Sequence, residues 1–419
     1  MAGRRCQILL GRGLGLLLGA LTGMALPAAC HAPAEQHQAL RPIREAGSFE
    51  AATPADSGEM DAQVDAPDAA PDADPVDAGV SAVELGVTPI VPSADAGADA
   101  STSDQTLVEL SMLAAGARAR ALVVRFDALV DDAGAPSDAA FANLGQTAAL
   151  YRARGRSVLF TIAPVVRELD ARPTTLQASW SSAALRSSVE AVIDRSYDTF
   201  GPELAYLSFG TDVDRFLAQA NSTDRSACAA FMRQTVSYAK AHPKRLATTQ
   251  IGVTFSMPGL SGTRLPEADA LLHASDAAVV TNYPLDASFH ALSVSAAAAQ
   301  LTTVADAVAN ATPGLPIVVQ ELGYPSATFV GSSAALQREF YQAAFSVLSA
   351  QRDHFPFVNL YASADADNGE CERQAATFGA AGDPFLIAAR CSLGLKDSSG
   401  AAKLAWATVL AGLSSFRDP

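Results

Sequence analysis

The stretch Leu204–Asp214, LAYLSFGTDVD, begins with an apolar run and ends with two carboxylates. A run of this length, apolar at nearly every position, is typical of a strand that is buried on both faces. Polar residues Thr211 and Asp212 follow at the point where the strand would end. The stretch therefore predicts a buried parallel strand that presents a carboxylate at its C-terminal end.

Similar apolar runs recur along the chain and alternate with amphipathic segments such as SDAAFANLGQTAALYRARG, which has helical spacing and ends at a glycine. Eight strands, each followed by a helix, predict a (β/α)8 barrel over residues 81–419. The competing architecture, an open doubly wound sheet, has a glycine-rich first turn that this sequence lacks. The other seven runs are VELGVTPIV from Val83, ALVVRFD from Ala121, SVLFTIAPV from Ser157, ATTQIGVTF from Ala247, DAAVVTNYP from Asp276, LPIVVQE from Leu315 and FVNLYAS from Phe357.

Residues 1–30 have the pattern of an export signal. Arginines precede an apolar run, and small residues follow it before Cys30. The stretch LPAAC resembles the lipobox of bacterial lipoproteins, which implies lipid attachment to Cys30; simple secretion with cleavage nearby is the alternative. Both make the protein exported, either secreted or anchored in the cell envelope, and contact with a membrane is expected only through such an anchor.

Residues 31–80 are rich in Ala, Pro and Asp and contain eleven acidic residues against two arginines. Such a segment buries too little apolar surface to offset the entropy of ordering, so we predict a disordered acidic linker. The whole chain has a net charge of −15. This charge argues against nucleic acid as a partner.

The cysteines and histidines suggest an oxidised chain without a metal. Cys371 and Cys391 are candidates for a disulfide, as expected of an exported protein. Cys228 falls in a helical pattern, where a small buried side chain is expected. The six histidines are scattered and no Cys/His spacing suggests zinc, so we expect no metal or other cofactor. We also expect a monomer.

Polar residues follow most of the predicted strands, at the end of the barrel where (β/α)8 enzymes place their active sites. Asp212 follows strand four and Glu321 ends strand seven, so these carboxylates should lie on opposite sides of the barrel mouth. Glycoside hydrolysis uses two carboxyl groups in this way. One protonates the leaving oxygen, and the other attacks or stabilises the anomeric carbon.

Residues 83–415 resemble the glycoside hydrolases of the large (β/α)8 group often called clan A, and most of all its endo-β-galactanase-like and β-glucanase-like branches. In that group, strand four ends in Gly-Asn-Glu, with Glu as the acid/base, and strand seven ends in a nucleophilic Glu, often followed by Gly-Tyr or Gly-Trp. The stretch QELGYPS matches, and the resemblance implies that Glu321 is the nucleophile. LSFGTDVD keeps Gly210 but has Thr211 and Asp212 in place of Asn and Glu, which implies Asp212 as the acid/base.

The substitution of Asp for Glu moves the carboxyl group back by about 1.5 Å, from ordinary bond lengths. A misplacement of about 1 Å can lower a rate about a hundredfold. Three outcomes stay open: backbone adjustment, a wider gap that admits water and favours inversion, or sugar binding without cleavage. We therefore expect a hydrolase acting on a β-linked polysaccharide, with a non-catalytic carbohydrate-binding or scaffold lipoprotein as the alternative.

Further positions are candidates for contact with a carbohydrate. The resemblance implies that Tyr283 orients the nucleophile, although a packed loop is equally consistent with the sequence. Arg125 is expected either to hydrogen-bond Glu321 or to form an interior salt bridge. Asp127 touches substrate or caps the next segment, and Trp180 offers a face for sugar stacking or packs in its loop. The remaining candidates are Thr211, Asn282 and Tyr361, the last at a strand-eight position where many relatives have Trp.

Overall fold

The structure of the protein is a computed structural model that describes residues 83–91 and 102–416. The predicted export signal (residues 1–30), Cys30 and the predicted linker (residues 31–80) lie outside the described residues. Within the region predicted as the barrel domain, residues 81–419, the chain forms strands and helices in alternation.

Eight parallel strands form a closed barrel. Each strand pairs with its neighbour in the chain, and the eighth pairs with the first through Glu84↔Phe357 and the three positions that follow. The first strand also pairs with the second at Gly86↔Ala119, so no barrel edge is left open. The prediction of a (β/α)8 barrel is confirmed. The strands are β1 Glu84–Val87, β2 Ala119–Arg125, β3 Ser157–Val166, β4 Leu204–Thr211, β5 Gln250–Ser256, β6 Ala277–Asn282, β7 Ile317–Leu322 and β8 Phe357–Leu360.

The helices surround the barrel, and many begin at a serine or asparagine that accepts a hydrogen bond from the first turn. Their apolar faces and the outer faces of the strands form the main core. The helices are α1 Thr102–Ala115, α2 Phe126–Leu129, α3 Asp138–Arg152, α4 Ala183–Phe200, α5 Val213–Gln219, α6 Ser222–Ala241, α7 Met257–Ser261, α8 Pro266–Ala274, α9 Val294–Ala311, α10 Ala334–Ala350, α11 Asn368–Thr377, α12 Pro384–Arg390 and α13 Leu404–Ser415.

The barrel interior is filled by side chains. An apolar cluster includes Leu159, Tyr206 and Val318. Two residues further along the strands, Gln320 Oε1 accepts hydrogen bonds from the hydroxyls of Thr161, at 2.6 Å, and Thr254, at 3.0 Å. Filled layers of this kind are normal for (β/α)8 barrels, and they place the open end of the barrel at the carboxyl ends of the strands.

The segment between β8 and α13 departs from a simple barrel. It contains α11 and α12, which are joined by a disulfide between Cys371 and Cys391 with a Cα–Cα distance of 5.5 Å. Cys228 is fully buried in α6 and has a free thiol. The disulfide fixes two short helices beside the mouth of the barrel, where their side chains reach the carboxyl ends of the strands.

Candidate active site

The turn after β4 places Asp212 at the barrel mouth. Gly210 has a positive φ of 72°, and a Cβ at this position would lie 2.3 Å from Val213 Cγ2, so the tight turn requires glycine. Asp212 itself has a left-handed backbone, with φ 51° and ψ 45°, and precedes α5. The strained backbone turns the short aspartate into the mouth, in the way that strain is often stored at functional sites.

Asp212 is 8% exposed and accepts a hydrogen bond from the Thr281 hydroxyl at the end of β6. Burial raises the pKa of the Asp212 carboxyl above its ordinary value, against the opposing effects of this hydrogen bond and the charges of Arg167 and Arg215. A carboxyl group with a raised pKa keeps its proton to higher pH. This is the property that a general acid needs.

Glu321 lies in β7 beside Thr281, its strand partner in β6. The Tyr283 hydroxyl donates a 2.5 Å hydrogen bond to Glu321 Oε2. Burial raises the pKa of Glu321, and the charge of Asp212 adds to this rise, whereas Arg390 and the Tyr283 hydroxyl oppose it. The two carboxyl groups therefore interact electrostatically, although β5 and β6 lie between the strands that carry them.

Arg390 is a site residue that the sequence did not reveal. It ends α12, is 7% exposed, and lies with its guanidinium carbon 4.5 Å from the ring centre of Tyr283 and 4.8 Å from that of Tyr361. Its Nε donates a 2.9 Å hydrogen bond to Gln374 in α11. Burial disfavours the charged guanidinium, but Tyr283, Tyr361 and Glu321 raise its pKa overall, so Arg390 is a fixed cation.

A cavity of about 570 Å³ opens at this end of the barrel. This volume lies in the range of small-molecule sites, roughly 300–1,000 Å³. Its wall includes Asp212, Thr281 and Tyr283, and Glu321 is bonded to the last of these. The other lining residues are Arg167, Glu168, Arg215, Gln219, Ser256, Pro258, Leu285, Asp286, Ala287, Phe289, Phe378, Gly379 and Ala380.

Charged residues that follow β3 and β4 form one side of the cavity. Arg167 Nε lies 3.4 Å from Glu168, and Arg215 approaches the same carboxylate at 3.6 Å. Burial and the nearby Arg215 lower the pKa of Arg167. The Phe378 ring lies 4.7 Å from the Arg167 guanidinium carbon and 4.9 Å from that of Arg390. Phe378 therefore lies between Arg167, whose charge acts on Asp212, and Arg390, whose charge acts on Glu321.

Arg125 and Asp127 form an ion pair with each other. Arg125 Nε lies 3.0 Å from one Asp127 oxygen, and Arg125 Nη2 lies 2.5 Å from the other. Of the two roles expected of Arg125, a hydrogen bond to Glu321 or a salt bridge, the structure has a salt bridge, formed with Asp127. Arg125 ends β2 and Asp127 lies in the first turn of α2, and both side chains are about one third exposed or more.

Trp180 does not offer an open face for a sugar. It is 5% exposed and packs between Phe216 and Phe231, with ring centres 5.5 Å away in each case. The Arg172 guanidinium carbon lies 3.6 Å above its ring. Of the two roles expected of Trp180, sugar stacking or packing, the structure has packing, and a cation covers the indole.

Three further candidates lie at the ends of their strands around the mouth. Thr211 is buried beside Asp212, and Asn282 is buried at the end of β6. Within the described part of the chain, the Thr211 hydroxyl and both polar atoms of the Asn282 amide have no hydrogen-bond partner. Tyr361 follows β8, and its ring packs edge-on against Tyr283 with centres 5.8 Å apart. The peptide bond after Tyr361 is cis.

Asp214 has a structural role that the sequence did not indicate. It accepts hydrogen bonds from the backbone N–H and the hydroxyl of Ser256, at 2.6 and 2.7 Å, and so joins α5 to the end of β5. Burial and the charge of Asp212 raise the pKa of Asp214 to about 6. Asp214 thus holds the turn that carries Asp212.

Within the described residues, 83–91 and 102–416, no helix is both long enough and apolar enough to span a membrane. In the same residues, no group of three or more His, Cys, Asp or Glu side chains has the arrangement of a metal site.

Comparison with known proteins identifies similar folds at low sequence identity. No protein-family model and no curated protein matches the sequence. A GH5_18 structure from Bifidobacterium longum subsp. longum, in complex with Manβ1-4GlcNAc, has a TM-score of 0.61 at 15% identity and covers 80% of this chain and 78% of its own. A GH5_18 structure from Streptomyces cattleya, also with Manβ1-4GlcNAc, has a TM-score of 0.58 at 17% identity, covering 80% and 81%.

An exo-β-1,4-mannosidase from an Opitutaceae bacterium has a TM-score of 0.57 at 13% identity; the similarity covers 80% of this chain and 59% of the mannosidase. The chain has the (β/α)8 fold of these glycoside hydrolases. On this glycoside hydrolase-like barrel, Asp212 and Glu321 stand after β4 and in β7, at the carboxyl ends where such barrels carry their sites.

Proposed function

We propose that the protein is an exported glycoside hydrolase that cleaves a β-linked saccharide with two carboxyl groups. Glu321 is the nucleophile and Asp212 is the acid/base. The observation that carries the proposal is the arrangement around Thr281, whose hydroxyl binds Asp212 while its backbone pairs with Glu321. This arrangement brings two carboxyl groups to the same barrel mouth, as the reaction requires: Asp212 lines the cavity, and Glu321 accepts a hydrogen bond from Tyr283, which also lines it.

The environments of the two groups suit these roles. Burial raises the pKa of Glu321 overall, but a fixed cation, Arg390, and a phenol donor, Tyr283, oppose this rise and favour the ionised form that attacks carbon. Asp212 is 8% exposed, and its burial favours the protonated form that delivers a proton to the leaving oxygen. Because two fold neighbours hold Manβ1-4GlcNAc and a third is an exo-β-1,4-mannosidase, β-mannosides are the first substrates to test. The β-glucanase-like resemblance of the sequence adds β-glucans.

The test is hydrolysis of a panel of β-linked oligosaccharides and polysaccharides by the purified chain, measured as new reducing ends. Glu321→Gln should lower the rate about a thousandfold or more, since it removes the attacking group. Sugar binding, measured by calorimetry, should persist in this variant. Hydrolysis at the parental rate by Glu321→Gln would exclude the proposed role of Glu321.

The second candidate is a carbohydrate-binding protein that does not cleave its ligand. The observation that favours it is the replacement of the family's Asn and Glu by Thr211 and Asp212. The double variant Thr211→Asn, Asp212→Glu separates the two candidates. Hydrolysis that appears only in this variant supports the binding protein, whereas hydrolysis by the parent chain excludes it.

The proposal of export, with a lipid anchor at Cys30, is supported by the sequence alone, through the arginines, the apolar run and the stretch LPAAC. Metabolic labelling with radioactive palmitate tests it in a bacterial host. Cys30→Ser should abolish the label, and Cys6→Ser serves as the matched control. Label that persists in Cys30→Ser would contradict the anchor.

A further inference from the structure

The excursion α11–α12 after β8 inserts one cation into the site. Arg390, the last residue of α12, lies against Tyr283, the residue whose hydroxyl binds Glu321. A carboxylate in a buried site needs a compensating charge or hydrogen bonds, because desolvation strongly disfavours the ion. Arg125, the cation that the sequence suggested as a partner of Glu321, is bound to Asp127.

Several groups surround Glu321. Asp212 opposes its ionisation, and Tyr283, Arg120 and Arg390 favour it. Arg120 is already bound to Glu109, at 3.1 Å, and to the carbonyl of Ala121. Arg390 is therefore the cation that is available to Glu321, and its effect on the carboxylate is the largest of the favourable ones.

The position of Arg390 depends on α11. Arg390 Nε donates to Gln374 Oε1, and Gln374 Nε2 in turn lies 3.2 Å from the Tyr361 hydroxyl. The same amide binds Glu370 at 2.8 Å. Gln374 thus orients the guanidinium between the two tyrosine rings, so α11 and α12 have to stay together for Arg390 to stay in place.

The disulfide joins these two helices next to the arginine. Cys391 immediately follows Arg390, and Cys371 lies one turn before Gln374 in α11. The two cysteines are separated by 20 residues, and the turn between the helices contains Gly379 and Gly382, both with positive φ. A crosslink limits the conformations open to such a loop.

We infer that Arg390 is a positioning residue that stabilises the ionised, reactive form of Glu321, and that the Cys371–Cys391 disulfide holds Arg390 there. The inference rests on the proposed role of Glu321 as the nucleophile. Reduction of the disulfide releases α12 from α11 and moves the guanidinium away from Tyr283. Glu321 then loses the nearby positive charge that favours its ionised form. An exported protein meets the oxidising conditions that such a disulfide needs.

The first experiment compares Arg390→Met with Arg390→Lys in the full chain. Loss of the charge should move the acidic limb of the pH profile of kcat/KM upward by about one unit or more, the scale of a nearby opposite charge. Arg390→Lys keeps a cation, so its acidic limb should stay close to that of the parent chain. The matched control is Arg195→Met in α4, where the arginine is about half exposed and pairs with the exposed Asp138. This control should leave the profile unchanged.

A second measurement does not depend on hydrolysis. The side-chain carboxyl carbons of glutamate are labelled with ¹³C, and the Glu321 signal is assigned by its absence in Glu321→Gln. In Arg390→Met this signal should titrate about one unit or more higher than in the parent. A chain that shows this shift but hydrolyses none of the tested saccharides supports the electrostatic effect of Arg390 on Glu321 and contradicts the proposed function. An unchanged Glu321 titration overturns the inference.

A third experiment tests the disulfide. Cys371→Ser with Cys391→Ser, or reduction of the parent chain, should move the Glu321 titration in the same direction as Arg390→Met. Reductant should have no further effect on Arg390→Met, because the cation is already absent. If the double serine variant titrates like the parent, the disulfide does not position Arg390. A shift of equal size in Arg390→Lys would also overturn the inference.

Discussion

Thr281 donates its hydroxyl hydrogen to Asp212, a residue 69 positions away in the chain. The same threonine pairs through its backbone with Glu321 in the next strand. Its side chain and its backbone thus fix the two carboxyl groups relative to one another. The short aspartate occupies the mouth of the barrel because a left-handed turn and this hydroxyl hold it there, not because its side chain is long.

Thr281→Val tests this connection with a side chain of the same shape. The variant removes a hydrogen bond to the ionised form of Asp212, so the pKa of Asp212 should rise further. The basic limb of the pH profile should move to higher pH, because the acid keeps its proton longer. The free energy of unfolding near neutral pH should fall by about 1–3 kcal/mol, the usual effect of an unsatisfied buried group.

Thr235→Val is the control for Thr281→Val. Thr235 is also buried, but its hydroxyl binds the Phe231 carbonyl within α6, on the outside of the barrel. Its loss should change the stability without moving the pH profile. Equal profiles for the parent chain and Thr281→Val would show that Thr281 does not control the acid.

Tyr283→Phe tests the hydrogen bond to Glu321. A hydrogen bond to a charged group contributes about 1.5–3 kcal/mol, so its loss should lower kcat roughly 10–150-fold. The pKa of Glu321 should rise, since the hydroxyl lowers it, and the acidic limb of the profile should move to higher pH. Kinetics across pH 4–9 measure both effects.

Tyr361→Phe is the matched control. Its hydroxyl accepts a hydrogen bond from Gln374, and its ring packs against Tyr283, yet it has no hydrogen bond to Glu321. The acidic limb should therefore move much less than in Tyr283→Phe. Identical shifts in the two variants would mean that ring packing, rather than the Tyr283 hydroxyl, sets the state of Glu321.

The barrel and its two carboxylates were predictable from the sequence for a physical reason. Strands buried on both faces need apolar residues at nearly every position, so the first polar residue marks the strand end. Asp212 and Glu321 were found in this way. Arg167 and Glu168 follow β3 within a residue or two, at the same kind of boundary, and the same rule applied there would have found them.

Arg390 was not predictable by that rule. It lies far beyond the end of β8, at the end of α12. This helix reaches Tyr283 only through the way the α11–α12 segment folds back on the barrel. The only local signal is the adjacent Cys391, whose pairing with Cys371 bends α12 back toward α11. The burial of Trp180 was not predictable for a similar reason, because nothing in its own segment of the sequence shows that Arg172 covers the indole.

Asp214→Asn tests the link between α5 and β5 through its dependence on pH. The pKa of Asp214 is about 6 in the folded chain, above its ordinary 3.8. The folded state then binds more protons than the unfolded state between these values. The contribution of Asp214 to stability is full below about pH 4 and is lost as the pH rises through 6.

Urea unfolding of both chains from pH 3.5 to 7 measures this effect. The difference in unfolding free energy, parent minus Asp214→Asn, should fall over this range by an amount of order 3 kcal/mol, at 1.36 kcal/mol per pKa unit. Asp212→Asn is measured alongside, because its charge raises the pKa of Asp214. A difference that stays flat with pH would contradict the raised pKa.

Gly210→Ala tests whether the tight turn after β4 places Asp212. A Cβ at 210 would require a left-handed alanine and would lie 2.3 Å from Val213 Cγ2, a methyl group on a stiff β-branched side chain. Gly155→Ala is the matched control, since Gly155 also has a positive φ but nothing within 4 Å of its added Cβ. The control should lose about 1–2 kcal/mol of stability from the backbone alone. Gly210→Ala should lose roughly a further 1–3 kcal/mol from overpacking.

Gly210→Ala should also lower kcat about a hundredfold where Gly155→Ala does not, because a shift of about 1 Å misaligns the acid. Equal stability and equal rates in the two variants would mean that Asp212 reaches the mouth without this turn, and that its short side chain is held by Thr281 alone.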